Sequence, residues 1–202
     1  MTLWLAAQPL VLASRSAARR TMLKAAGIPI ELHPADLDER ALAARAALQQ
    51  PAGIAALLAK EKAAVVGRVH PGRLVLGADQ TLALGTNYFT KPADRSAAKA
   101  QLRALSGQCH ELHSAVAFVQ DGAVLFEHAD TARLTMRALS DRFIDLYLDT
   151  VGEAATTSVG AYQLEGLGSQ LFERVEGDYF TILGLPLVPA LDFLRRHGCL
   201  AS

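Results

Sequence analysis

Apolar positions first cluster in Leu10-Val11-Leu12-Ala13, a run suited to a buried strand. Ser14 to Ala26 then reads as a helix: Ser14 or Ser16 offers a cap, Met22, Leu23 and Ala26 form a stripe, and Gly27 ends it. Ile28 to His33 alternates like a second strand closed by Pro34, and the acidic turn Asp36-Leu37-Asp38-Glu39 follows. Two alanine-rich helical segments come next. The second is predicted from Pro51 to Val66, with proline in its first turn and Gly67 beyond its end.

Leu74 to Leu84 is an apolar strand interrupted by one charge, Asp79, and the Gly85-Thr86-Asn87 turn predicts that Tyr88–Thr90 pairs back on it. Asp94 or Ser96 opens a helix that stops at Ser106-Gly107. His110 to Val119 and Ala123 to Met136 form strands joined at Asp121-Gly122, a hairpin dipeptide. Ser140 caps a helix to Thr150, Gly160 to Gly184 is glycine-rich, and Leu187 to His197 is a closing helix. Strands alternating with helices, followed by hairpins, predict an α/β fold on a mixed sheet. No repeat, low-complexity tract or clear linker divides the chain, so residues 1–202 are read as a single domain.

Hydrophobic residues make up 51% and charged residues 20% of the 202, a globular composition. The formal net charge of zero argues against broad nucleic-acid or membrane-surface binding. No apolar stretch approaches membrane-spanning length. The apolar opening from Met1 to Ser14 lacks a basic leading segment and flows into a strand, so it is read as part of the fold. Cys109 and Cys199 form no CxxC pair, and two free thiols in a reducing, cytoplasmic setting is the simpler reading.

Several residues invite chemistry. The stretch from Ser14 to Arg20 lies between a buried strand and a helix, where unpaired amides, the helix dipole and arginine forks favour an anion. An ordinary serine cap on a solvated basic helix is the other reading, and the glycines of a P-loop are absent. Asp79, alone in an apolar strand, must be solvated, paired or bound to a cation, which suits a metal ligand or general base at a strand end, or a structural tie. Lys60, Lys62 and Lys91 supply cations that are by default surface lysines. His110 and His113 are expected on one strand face with no third ligand in view, which favours structural roles.

In order along the chain, LVLASRSAARR, DLDE, LAKEKA, LVLGADQTLAL, Lys91-Pro92, LSGQCHE, GAYQLEGLG, VEGDY and LGLP together resemble the Maf family of nucleotide pyrophosphatases. The resemblance covers nearly the whole chain. It implies an elongated mixed-sheet α/β fold with flanking helices and two lobes around a nucleotide cleft, similar to inosine triphosphate pyrophosphatases, and commonly a homodimer. It implies hydrolysis of a nucleoside triphosphate between its α- and β-phosphates with Mg²⁺ or Mn²⁺. On this resemblance Ser14, Arg19, Lys62 and Lys91 would hold the triphosphate, Glu39 and Asp79 would place the cation, and Asp79 would accept the proton of the attacking water.

Gln80 and Glu165 resemble the branch acting on 7-methyl-GTP rather than on thymidine or uridine triphosphate. A carboxylate at Glu165 suits the N1–H and N2 amine of guanine. Ala18 departs from both branches, which carry tryptophan or arginine there; Ala17 stands where proline is familiar, and His113 where a tyrosine-like residue is. Two other readings stand beside this one: a thymidine/uridine triphosphate pyrophosphatase, and a nucleotide-binding regulator of septum formation without turnover.

Overall fold

The long apolar runs of the sequence become the centre of one mixed sheet. The computed structural model describes residues 2–45 and 50–202; part of the first alanine-rich segment, residues 46–49, lies outside the described residues. In chain order the elements are β1 (Leu10–Leu12), α1 (Ala17–Ala25), β2 (Ile30–Leu32), α2 (Glu39–Arg45), α3 (Pro51–Arg68), β3 (Val75–Leu84), β4 (Asn87–Phe89) and α4 (Arg95–Leu105). They continue as β5 (Cys109–Gln120), β6 (Ala123–Met136), α5 (Asp141–Val151), β7 (Phe172–Glu176), α6 (Tyr179–Ile182) and α7 (Leu187–Arg196), with short 3-10 turns between α5 and β7. The sheet runs β2-β1-β3-β5-β6-β7, with β4 also paired to β3. β1 is parallel to β2 and β3, and the remaining pairs are antiparallel.

Alternation along β3 sorts its side chains onto two faces. Gly77, Asp79 and Thr81 face α3. A Cβ at Gly77 would sit 2.0 Å from the Ala59 carbonyl oxygen and 2.9 Å from the Ala63 methyl, so only glycine lets this helix approach so closely. Small residues continue the contact, since Ala55 and Ala59 pack on Ala115 and Ala117 of β5. The opposite face carries two cores. Leu12, Leu76 and Phe118 pack with Met22 and Leu23 of α1 and Phe193 of α7. Farther along, Leu82, Leu112 and Leu134 pack with Leu102 of α4 and Ile144 of α5. These two cores are the bases of the two lobes.

The sheet has a gap where the lobes part. On one edge of β3, β1 pairs only with Val75 and Leu76, and β4 only with Leu82, Ala83 and Leu84. Among the described residues no strand covers Gly77 to Thr81 on that edge. The other edge is paired to β5 from Val75 to Ala83 without a break.

Several details differ from the sequence reading. Gly67 is not beyond the end of α3 but inside it, buried, where its missing side chain faces Val119 and Val75 at ordinary contact distance. β7 was not predicted: Phe-Glu-Arg-Val-Glu is largely exposed and carries no apolar alternation. Asp79 is not at a strand end but mid-strand, opposite the gap. His110 and His113, three residues apart on β5, lie on opposite faces, because side chains alternate with period two.

Candidate active site

The gap opens into a cavity of roughly 1580 Å³, lined by both lobes and by α3. All eight residues singled out from the sequence line it: Ser14, Arg19, Glu39, Lys62, Asp79, Gln80, Lys91 and Glu165. At its floor Asp79 Oδ1 accepts from Lys62 Nζ at 2.6 Å, and both residues are buried. Lys62 also reaches Glu39 Oε1 at 2.7 Å, so one ammonium bridges two carboxylates. Burial pushes the Asp79 carboxyl above its ordinary value, while Lys62 and Arg19 pull it back and Glu39 adds to the rise.

Arg19 is buried where α1 meets β3. Its Nε donates to the Gly184 carbonyl at 2.7 Å, and Nη1 donates to Ala78 O at 2.7 Å and Ser14 Oγ at 3.0 Å. Three of the five guanidinium hydrogens are thereby committed to the protein, leaving the pair on Nη2. Ser16 caps α1, its Oγ accepting from the Arg19 amide. Burial lowers the Arg19 pKa, opposed by Asp79 and Glu39; a guanidinium nevertheless remains charged. Lys91, on the exposed rim after β4, forms no ion pair among the described residues. Desolvation lowers its pKa first, then the nearby Arg19. Three cations against two carboxylates leave the cluster one positive charge in excess, a setting that attracts anions.

Gln80 lies on the other face of β3. Its Nε2 donates to Ser114 Oγ, Thr181 O and Ile182 O at 3.0, 3.1 and 2.9 Å, which ties α6 across the sheet. The two hydrogens of Nε2 serve these three acceptors, one of them shared, which sets the amide orientation and leaves Oε1 as its acceptor atom. Glu165 is exposed on the facing wall, in the loop between the 3-10 turns Val159–Ala161 and Leu167–Leu171.

The pattern of the Maf-like protein family matches residues 9–197. The chain belongs to the Maf family. It is 62% identical over 201 residues, covering 100% of both chains, to a nucleoside triphosphate pyrophosphatase of Rhodopseudomonas palustris. It is 53% identical over 191 residues, 94% of this chain and 96% of the other, to a 7-methyl-GTP pyrophosphatase of Rhizobium etli. Among solved structures it is similar to a HAM1 protein from Coxiella burnetii, with 16% identity, TM-score 0.43 and coverage of 63% of this chain and 72% of that one.

The donor set of this Maf chain suits a hard divalent cation. Glu39 and Asp79 present carboxylate oxygens to the same point, now bridged by Lys62. Mg²⁺ is commonly held by one or two carboxylates and completed by water and substrate phosphates. No cluster of three or more His, Cys, Asp or Glu that could hold a metal exists among the described residues.

Sequence reasoning missed one feature of the Maf site. Tyr162, which borders the cavity, hydrogen-bonds through its hydroxyl to His110 Nε2 at 2.8 Å. The two are 52 residues apart, and only the Tyr162 position within the glycine-rich segment hinted at a packed turn. Among the described residues no helix is long and apolar enough to cross a membrane.

Proposed function

We propose that the protein hydrolyses nucleoside triphosphates between the α- and β-phosphates, releasing a monophosphate and pyrophosphate, with Asp79 as proton acceptor. As a Maf protein it is a hydrolase of phosphoanhydrides, and the relatives' names carry the pyrophosphatase activity. The observation that carries the reading is the buried Asp79–Lys62 contact on the cavity floor, with Arg19 beside it. Phosphoryl transfer asks a protein chiefly for positioning and charge neutralisation.

In this reading the Nη2 hydrogens of Arg19, with Ser14, Lys91 and Lys62, grip the triphosphate oxygens. Glu39 and Asp79, which now share the Lys62 ammonium, would hold Mg²⁺ or Mn²⁺, with Lys62 then available to phosphate. The cation supplies neutralisation of the phosphate oxygens. Asp79 then takes the proton of the attacking water while pyrophosphate departs.

For the base, two residues that line the cavity offer acceptors: the Glu165 carboxylate and Gln80 Oε1, whose amide nitrogen is already committed. That pair suits guanine, which offers N1–H and an N2 amine, and disfavours the acceptor-rich edge of a pyrimidine dione. A negative charge at Glu165 also suits a base made cationic by N7-methylation. We therefore infer guanine-type triphosphates, 7-methyl-GTP among them, as substrates. The relative from Rhizobium etli bears that name. A cytoplasmic setting, read from the sequence, and the homodimer implied by the resemblance are part of the same reading.

The test is pyrophosphate release by the purified protein with Mg²⁺ or Mn²⁺ across GTP, 7-methyl-GTP, UTP and dTTP. Asp79→Asn should lower kcat by about 10²–10⁴ and preserve nucleotide binding. Undiminished release in that variant removes Asp79 from the chemistry, and nucleotide binding without turnover in the unaltered protein would favour a regulator.

A further inference from the structure

The segment that brings Glu165 to the cavity is held from behind by contacts that the proposed chemistry does not use. Gly160 (φ 79°) and Ala161 (φ 61°) are consecutive left-handed residues, and alanine takes that conformation only where its surroundings impose it. The imposing contacts converge here. Tyr147 OH donates to Ala161 O at 3.3 Å, Ser158 Oγ donates to Tyr162 O at 2.6 Å, and the Gly160 amide donates to Gln101 Oε1 at 3.0 Å. On the far side, a Cβ at Gly168 would strike the Gln163 carbonyl oxygen at 2.4 Å, so the loop closes tightly on itself.

At the centre lies Tyr162, 5% exposed, in edge contact with Phe172 at 4.8 Å between centroids and bonded to His110, which is 1% exposed. His110 Nδ1 is buried with no partner. That orphan fixes the direction of the bond. If Tyr162 donates to Nε2, a single N–H is left unpaired; if His110 donates, both its Nδ1 lone pair and the tyrosine hydrogen are stranded, a costlier arrangement in the same apolar surroundings. The hydroxyl therefore donates and the histidine accepts. The bond is the ring's polar anchor within this apolar packing, and Glu165 is three residues beyond it.

We propose that the buried Tyr162–His110 hydrogen bond is a positioning device that sets how far Glu165 reaches toward the base, and so sets nucleotide selectivity without touching substrate phosphates or water. This rests on the reading of Glu165 as the base contact. Tyr162 and His110 are positioning residues, and their effect should appear in KM and in selectivity rather than in the chemical step.

The experiment measures kcat and KM with Mg²⁺ for 7-methyl-GTP, GTP, UTP and dTTP in the unaltered protein, Tyr162→Phe, Glu165→Gln and the double variant. Tyr162→Phe is expected to raise KM for the preferred nucleotide about fivefold, the worth of one neutral hydrogen bond, with a smaller change in kcat, and to flatten the ratio between purine and pyrimidine substrates. Combined with Glu165→Gln it should flatten the ratio no further. His110→Gln, whose amide reaches the Nε2 position and can still accept, should keep the selectivity that His110→Leu loses, and this pair decides the matter if Tyr162→Phe does not fold. An unchanged ratio in Tyr162→Phe beside a changed one in Glu165→Gln overturns the positioning role alone. So do additive effects in the double variant, or an equal fall of kcat for every nucleotide. An unchanged ratio in Glu165→Gln overturns both this role and the base contact beneath it.

Discussion

Lys62 Nζ lies 2.6 Å from Asp79 Oδ1, with side chains only 11% and 10% exposed, and it holds the carboxylate on the uncovered edge of β3. A buried pair of this kind is asymmetric in its energetics: removing one partner strands the other.

Lys62→Met should therefore cost about 3 kcal/mol of stability and reduce turnover by at least about a hundredfold. Adding Asp79→Leu should restore most of the stability and none of the activity. Urea unfolding alongside pyrophosphate release separates the two effects. A stable, active Lys62→Met protein contradicts the arrangement.

Gly77→Ala probes the approach of α3. The added methyl would meet the Ala59 carbonyl at 2.0 Å, and backbone cannot rotate aside as a side chain can. The helix must shift, with a loss of about 3 kcal/mol, at the upper end of overpacking costs, and Lys62 shifts with it. Thermal unfolding should show the drop, and KM should rise with it. Gly67→Ala, where the nearest atom is a flexible valine methyl at 3.5 Å, serves as the mild control, expected within about 1 kcal/mol of the parent.

Burial holds the His110 pKa down to about 4. The folded state keeps this ring neutral, whereas an unfolded histidine takes up a proton near pH 6.5. Its share of stability is present above about pH 6.5 and is lost as pH falls toward 4, a total of about 3 kcal/mol. Urea midpoints measured from pH 7 to 4.5 should fall more steeply for the parent than for His110→Gln. Parallel curves would show that the ring is already charged in the fold.

Glu39, half exposed and bridged to Asp79 only through Lys62, should matter most at limiting cation. Glu39→Gln is expected to raise the half-saturating Mg²⁺ concentration by about tenfold or more, since even outer partners of a metal ligand cost that much. Excess Mg²⁺ should recover turnover. An unchanged Mg²⁺ titration would exclude Glu39 as a ligand.

Much of this protein was readable before folding. The run from Leu74 to Leu84 announced a buried strand, and its single charge announced a site, because an unpaired carboxylate there is untenable. The caps at Ser16, Asp94 and Ser140 each place an oxygen on the amide three residues on. Lys62 entered the candidate site through the family resemblance and not through its own surroundings, for a physical reason. It sits on a helix flanked by Lys60 and Glu61, and its importance comes from Asp79 and Glu39, 17 residues after and 23 before it in the chain. Tyr162 and His110 were hidden in the same way, since a hydrogen bond across 52 residues leaves no periodicity. β7 escaped because an edge strand with exposed charges has no apolar pattern to betray it. Gly67 misled because glycine commonly marks a helix end, while here it lies against Val119 within the helix.

The uninterrupted pairing of β3 with β5 has a further consequence. The group that would handle the proton rides on a strand paired without a break from Val75 to Ala83, whereas the wall carrying Glu165 belongs to loops on one lobe and the Ser14–Arg19 turn to the other. On the proposed reading, reaction and recognition are thus mechanically separate: the walls could be recut for another base while the Asp79 carboxylate stays in register with β5.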